Sequence, residues 1–288
     1  MENFPQDITL EEAHELIGPL MKTISLSKQS SEKLKLSDTI NRVLAEDVIS
    51  PIDVPAQDTS AVDGYAFYYE DLMKPLPILG SIKAGHPYQE VASPGYAYRI
   101  FTGAAMPKGP DTVAMQEYCK FDDQGNVILP DNLKQGTNYR PCGENVSKNE
   151  IVLRQGQRIH PAEIGLAAAV GRTSLVVKKK LKIALISMGD EVCEIGSPQG
   201  YEQGMIFDSN RPMLQSMLHH MGHEILDFGL VKDDLETLTP IFRKAAKQAD
   251  VIVTSGGSSE GEEDHTKAAI LGCDGVIDFW RLALKPCL

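Results

Sequence analysis

The chain has 288 residues, 42% hydrophobic and 24% charged, the composition of a globular protein with core enough for two or three domains. With 40 acids against 28 bases, its net charge of -12 excludes a nucleic-acid backbone as the main partner, because phosphate binding draws on clustered Lys and Arg. The five cysteines, at 119, 142, 193, 273 and 287, lack zinc or thioredoxin spacing and fit a reducing cytoplasm; no signal-peptide pattern opens the chain, and no apolar run reaches membrane-spanning length.

Thr9 followed by Glu12 forms a capping box, and Leu10, Ala13, Leu16, Ile17, Leu20, Met21 and Ile24 recur at helical spacing, which predicts an amphipathic first helix. A short helix is expected over residues 37–44, after which Pro51 and Pro55 break the regularity. From there to about residue 160, short alternating runs such as "YAYRIFTG", "DTVAMQEYCKF" and "GNVILP" read as an antiparallel β module. "PAEIGLAAAVG" predicts a helix closed by Gly171, and the basic run Lys178, Lys179, Lys180 reads as a solvated approach to a strand.

Beyond residue 180 the texture changes to long strands alternating with helices. "LKIALISMG" has the continuous apolar character of a buried strand; Met213, Leu214, Met217, Leu218 and Met221 mark a helix stopped by Gly222; "EILDFGLV" is a second strand. "DDLETLTPIFRKAAKQA" then predicts a helix with an acidic first turn, and "DVIVTS" a third strand. This order specifies a multidomain α/β fold with a doubly wound, mostly parallel sheet covered on both faces by right-handed crossovers.

Ligands of such sheets sit at the carboxyl ends of the strands. The sequence places Gly189-Asp190-Glu191, Asp233-Asp234 and the run "GGSSEGEED", Gly256 to Asp264, at those three ends. Acids at a helix N-terminus also favour the dipole, and Asp233-Asp234 carries that plainer reading. Three acidic strand ends beside a glycine turn point to an anionic ligand brought in with a divalent cation. Mg²⁺ is the natural choice, because it keeps its waters and takes few carboxylates.

At these residues the sequence resembles the molybdopterin molybdotransferase family: "SMGDEV", "DSN", "KDD" and "SGGSSEGEED" are similar to its central domain. The resemblance extends, in the family's order, to "DTSAVDGYAF", "TGAAMPKGPDTVAMQE" and "NYRPCGENV". It implies an enzyme that takes adenylylated molybdopterin and molybdate, releases AMP with Mg²⁺ and works as a cytoplasmic homodimer, with the molybdopterin adenylyltransferase as a further partner. It also implies an N-terminal helix at 1–28 packed on the sheet domain, an elongated segment at 29–46 and 147–178, an inserted β module at 47–146, and a molybdopterin-binding domain at 179–288. Asp63, Thr102, Glu191, Asp233, Asp264 and Lys285 match the family's catalytic positions, with Glu191 and Asp264 as the Mg²⁺ ligands and Asp63 and Thr102 reaching the cleft from the partner subunit. Gly256, Gly257, Ser258, Ser259, Gly261, Ser209 and Arg281 match its pterin- and phosphate-binding positions, Arg281 standing where the family has Lys.

Three departures bear on activity. Asn145 replaces the aspartate usual after Gly-Glu; Ser258 and Glu260 stand at usually apolar places; and "LALKPCL" ends where the family continues into a C-terminal β domain that holds much of its molybdate site. Besides a molybdotransferase, two alternatives therefore stand: a non-catalytic molybdopterin-binding or scaffold protein, and a nucleotide-pyrophosphate hydrolase using the same sheet.

Overall fold

The structure, a computed structural model, describes residues 5–27, 30–197, 204–257 and 265–283. The chain divides into two compact units, one of Met1–Lys33, Asn41–Val43 and Val176–Leu288, the other of Leu34–Ile40 and Leu44–Leu175. Among the described residues no helix is long and apolar enough to cross a membrane.

Strand β1 (Gln6–Ile8) opens the first unit and helix α1 (Leu10–Ser27) follows. The start of α1 is the expected capping box: the Thr9 amide donates to Glu12 Oε2 at 2.8 Å and the Glu12 amide to Thr9 Oγ1 at 3.2 Å, satisfying two end donors reciprocally. The helix expected over 37–44 does not form. A 3₁₀ turn spans Leu36–Asp38, Asn41 takes φ +60°, and the Leu44 amide donates to the Gln157 carbonyl at 2.9 Å. A left-handed residue cannot continue a right-handed helix, so the apolar spacing there serves long-range pairing instead.

In the second unit, β2 (Gly64–Phe67), β3 (Ile78–Ile82), β4 (Ala97–Ile100) and β5 (Thr112–Met115) form a four-stranded sheet in the order β3-β4-β2-β5. β2 is buried along its whole length because both faces carry core: Tyr65 and Phe67 pack with Leu76, Ala97 and Val127, while Ala66 packs with Ile82, Tyr98 and Val113. The module is mixed rather than purely antiparallel, since β3 runs parallel to β4. Residues 83–96 give the length that a parallel crossover needs and a hairpin does not. Helix α2 (Pro161–Ala169) begins with the His160 amide donating to Glu163 Oε2 at 2.9 Å and ends at Gly171, φ +78°, as expected.

The chain returns to the first unit as β6 (Lys182–Met188), α3 (Asn210–His220), β7 (Glu224–Val231), α4 (Leu235–Gln248), β8 (Val251–Ser255), α5 (His265–Gly272) and β9 (Trp280–Leu282). The three long strands form a parallel sheet ordered β7-β6-β8, so the first strand is central and is buried from Ile183 to Met188. Ala184, Ile186 and Met188 pack against Leu238, Phe242 and Ala245 of α4 and Ala269 of α5. α3 connects β6 to its neighbour β7, and α4 carries the chain from β7 back past β6 to β8; the two crossovers run in opposite directions, and right-handed crossovers then put these helices on opposite faces. The crevice between the carboxyl ends of β6 and β8 is thus a topological switch point. On α3 the buried stripe is narrower than its apolar pattern: Leu214 and Leu218 are half-buried, whereas Met213, Met217 and Met221 are exposed.

Arg211, in the first turn of α3, ties this layer together. Its Nε donates to buried Asp208 at 3.1 Å, one terminal nitrogen reaches Asp227 of β7 at 3.3 Å, and the other binds Glu194. A bulge in β7, with Gly229 at φ +77° and its amide donating to Asp227 Oδ1 at 2.9 Å, sets Asp227 for this contact. Partial burial disfavours the guanidinium charge, but Asp227 and Glu194 outweigh it and raise the Arg211 pKa. Arg211→Met leaves Asp208 buried without its ion partner and is expected to lower unfolding stability by about 3 kcal/mol. Urea titration checks this, and Arg211→Lys, which keeps the charge but not the fork, loses less.

Candidate active site

The carboxyl edge of the sheet is built by glycines that let strand exits lie close together. Gly189 follows β6 at φ +137°, and a Cβ there would stand 2.8 Å from Glu191 Oε2, so the turn folds Glu191 back beside the strand end. The turn is anchored by a short parallel pair, Val192–Cys193 with Ile206–Phe207, and by the Ile206 amide donating to the Glu191 carbonyl at 2.8 Å. At the exit of β8, Gly256 and Gly257 take φ +91° and +74°. A Cβ on Gly256 would collide with the Met188 carbonyl oxygen, and one on Gly257 with the Thr266 hydroxyl and the Met188 sulfur. The glycine pair thus answers to close approach against β6, besides any part its amides take in binding.

The acids at this edge differ in employment. Asp234 caps α4: its carboxylate accepts from the Thr237 hydroxyl at 3.0 Å and the Thr237 amide at 2.8 Å, and these bonds hold its pKa below the ordinary range. Asp233 is half-buried just before it, and Glu191 is exposed. Ser209 occupies the N-cap position of α3, exposed and without a side-chain capping bond. Arg281 of β9 forms an ion pair with Asp7 of β1 at 2.7 Å. Ser258, Ser259, Gly261, Asp264 and Lys285 lie outside the described residues. Among the described residues no three His, Cys, Asp or Glu side chains gather as a metal cluster. Glu191 is nevertheless the hard oxygen donor that Mg²⁺ favours, and such a site needs only one or two carboxylates.

In the second unit, Asp63 and Thr102 come together at the ends of β2 and β4. Asp63 Oδ1 accepts from both the Thr102 amide at 2.8 Å and its hydroxyl at 2.7 Å. Those two bonds, with the nearby Arg99 charge, hold the Asp63 pKa below the ordinary range. Arg99 itself donates to the Gly64 carbonyl at 3.1 Å and to Gln116, and its guanidinium lies 4.9 Å from the Phe101 ring centroid and 5.1 Å from that of Tyr65. Sequence reading passed over Arg99. Its signal was a lone arginine within the apolar run "YAYRIF".

Comparison with known proteins decides the family. Residues 8–171 match the pattern described as the MoeA N-terminal region (domain I and II), and residues 184–287 the one described as a probable molybdopterin binding domain. A protein of Haemophilus influenzae named molybdopterin molybdenumtransferase is 38% identical over 97% of this chain and 68% of its own length. The chain belongs to the molybdopterin molybdenumtransferase family. A Nostoc relative of the same name is 32% identical, with 90% of this chain and 61% of its own length covered. The chain therefore spans roughly two thirds of these curated relatives. The crystal structure of a molybdopterin biosynthesis MoeA protein from Pyrococcus horikoshii superposes with a TM-score of 0.76 at 30% identity, covering 87% of this chain and 66% of that one.

One departure from the molybdenumtransferase pattern has a structural outcome. Arg140 donates to Glu144 Oε2 at 2.6 Å and to Asn145 Oδ1 at 2.9 Å, so the Asn145 amide oxygen keeps a hydrogen bond while supplying no counter-charge.

The two hydrogen bonds to Asp63 favour its ionised form. They are complete above the usual aspartate range and are lost as pH falls through the lowered pKa. Thr102→Val removes the hydroxyl donor, and a carboxyl-carbon NMR titration is expected to show the Asp63 pKa moving up toward its ordinary value. Gly256→Ala, strained and colliding with the Met188 carbonyl, is expected to cost about 3 kcal/mol in denaturant unfolding.

Proposed function

We propose that the protein is a molybdenum cofactor biosynthesis enzyme, a molybdopterin molybdenumtransferase acting on adenylylated molybdopterin and molybdate with release of AMP. The observation that carries the proposal is the 38% identity to a named molybdopterin molybdenumtransferase across 97% of this chain. The glycine-built carboxyl edge, with its exposed Glu191, supports it.

In this reading Glu191 and Asp264 hold Mg²⁺, which when bound supplies charge neutralisation at the adenylate phosphoanhydride. Gly256, Gly257, Ser258, Ser259 and Gly261 offer amides and hydroxyls to the pterin phosphate, and Ser209 adds a hydroxyl from the start of α3. Asp233 orients water beside α4. Arg281 and Lys285 meet the anionic phosphate or molybdate. Asp63 stays ionised through Thr102 and, in a homodimer, serves the partner's cleft. The protein acts in the cytoplasm, where its substrate comes from a molybdopterin adenylyltransferase.

The test is AMP release by the full chain, with pterin binding measured separately. Glu191→Gln is expected to slow AMP release about 100-fold while changing pterin affinity little, because charge neutralisation matters most in the transition state. An unchanged rate removes Glu191 from the mechanism. Pterin binding with no AMP release by the wild-type chain would instead make this a binding protein, and AMP release without molybdate uptake a pyrophosphate hydrolase.

A further inference from the structure

Arg281 has a resident partner that the sequence pattern does not announce. β1 adds in parallel to β9, with Gln6 opposite Trp280 and Ile8 opposite Leu282. The Trp280 amide donates to the Pro5 carbonyl at 2.9 Å and the Ala283 amide to the Ile8 carbonyl at 2.8 Å, so backbone bonds dock β1 on both sides of Asp7. Between those bonds both facing residues take the left-handed conformation, Asp7 at φ +55° and Arg281 at φ +68°. Asparagine and aspartate tolerate that region, but an arginine there is held by its surroundings. The two side chains form an ion pair at 2.7 Å, with Arg281 32% and Asp7 57% exposed. The neighbouring Trp280 ring is covered by Lys267 of α5, whose Nζ stands 4.3 Å from the ring centroid.

We propose that Asp7 acts as a counter-ion to Arg281 until ligand binds and is displaced by the incoming oxyanion, so that this residue near the start of the chain sets how strongly, and with what charge preference, the site takes its ligand. The proposal rests on the reading of Arg281 as an anion contact. A carboxylate and a phosphate or molybdate oxygen pair present similar acceptor forks to a guanidinium, so they compete for the same donors. The exchange is feasible because the pair is part-solvated, and exposed ion pairs are weak. It favours dianions, which attract Arg281 more strongly than one carboxylate does, and it disfavours monoanions. Docking of β1 does not depend on the exchange, because the two backbone bonds remain when the side chains separate.

Calorimetric titration of the full chain with AMP, at low and at high salt, tests this. Asp7→Asn keeps the size of the side chain and removes its charge; it is expected to tighten AMP binding about 3- to 10-fold at low salt, with the gain shrinking at high salt as screening grows. Asp7→Glu, which restores a counter-ion, is expected to bind as the wild type does. Arg281→Gln is expected to weaken AMP binding and to abolish the effect of Asp7→Asn in the double variant. If Arg281→Gln leaves AMP affinity unchanged, the reading of Arg281 as an anion contact falls. If Arg281→Gln weakens binding but Asp7→Asn leaves it unchanged or weakens it too, Arg281 stands and the counter-ion role of Asp7 is overturned. A thermal melt of Asp7→Asn that matches the wild type assigns its effect to charge; a lowered melt accompanied by weaker binding assigns Asp7 to structure and overturns the proposal.

Discussion

The carboxyl edge of the first unit depends on how closely the exit of β8 lies against the last residue of β6. Met188 ends a strand buried on both faces, and its carbonyl and sulfur occupy the space that any side chain at 256 or 257 would need. Two consecutive left-handed glycines are the backbone answer to that crowding. Their amides are thereby released from the β ladder at the point where a doubly wound sheet places its ligands. Packing alone thus demands glycine at both positions, and the buried Thr266 hydroxyl, 3.5 Å from the Met188 sulfur, closes the contact from α5.

How much of this was legible follows from the range of each interaction. The capping box at Thr9 and Glu12, the closure of α2 at Gly171 and the buried run of β6 are local, and local chemistry specifies them. The failures are non-local. Residues 37–44 carry a helical pattern, yet Asn41 is left-handed and Leu44 pairs with Gln157, more than 100 positions away in sequence. The parallel pairing of β3 with β4, and of β1 with β9, leaves no mark in alternation, because alternation reports which face is buried and not which neighbour is hydrogen-bonded.

The candidate site divides in the same way. Asp63 and Thr102 were identified as separate motif positions, 39 residues apart, and the fold joins them through one carboxylate oxygen. Arg99 escaped notice because its role is carried by contacts with Phe101 of its own run and with Gly64, Tyr65 and Gln116 from two other stretches of chain. Arg211 escaped for a like reason: its three carboxylates come from the turn after β6, the entry to α3 and the bulge of β7.

Among the described residues, the acids at and near the sheet edge have different work. Asp208, Asp227 and Glu194 neutralise Arg211 and brace the loop that carries Glu191. Asp234 is engaged by Thr237 at the start of α4, where the helix dipole favours it. A carboxylate already paired or capping is a poor metal donor, because binding an ion would cost it those bonds. The exposed Glu191 has no such bond to give up among those described, and it sits on a turn fixed by Gly189 and the Ile206 amide. Among the described residues, Glu191 is thus the exposed oxygen donor left beside carboxylates that already serve to hold the fold in place.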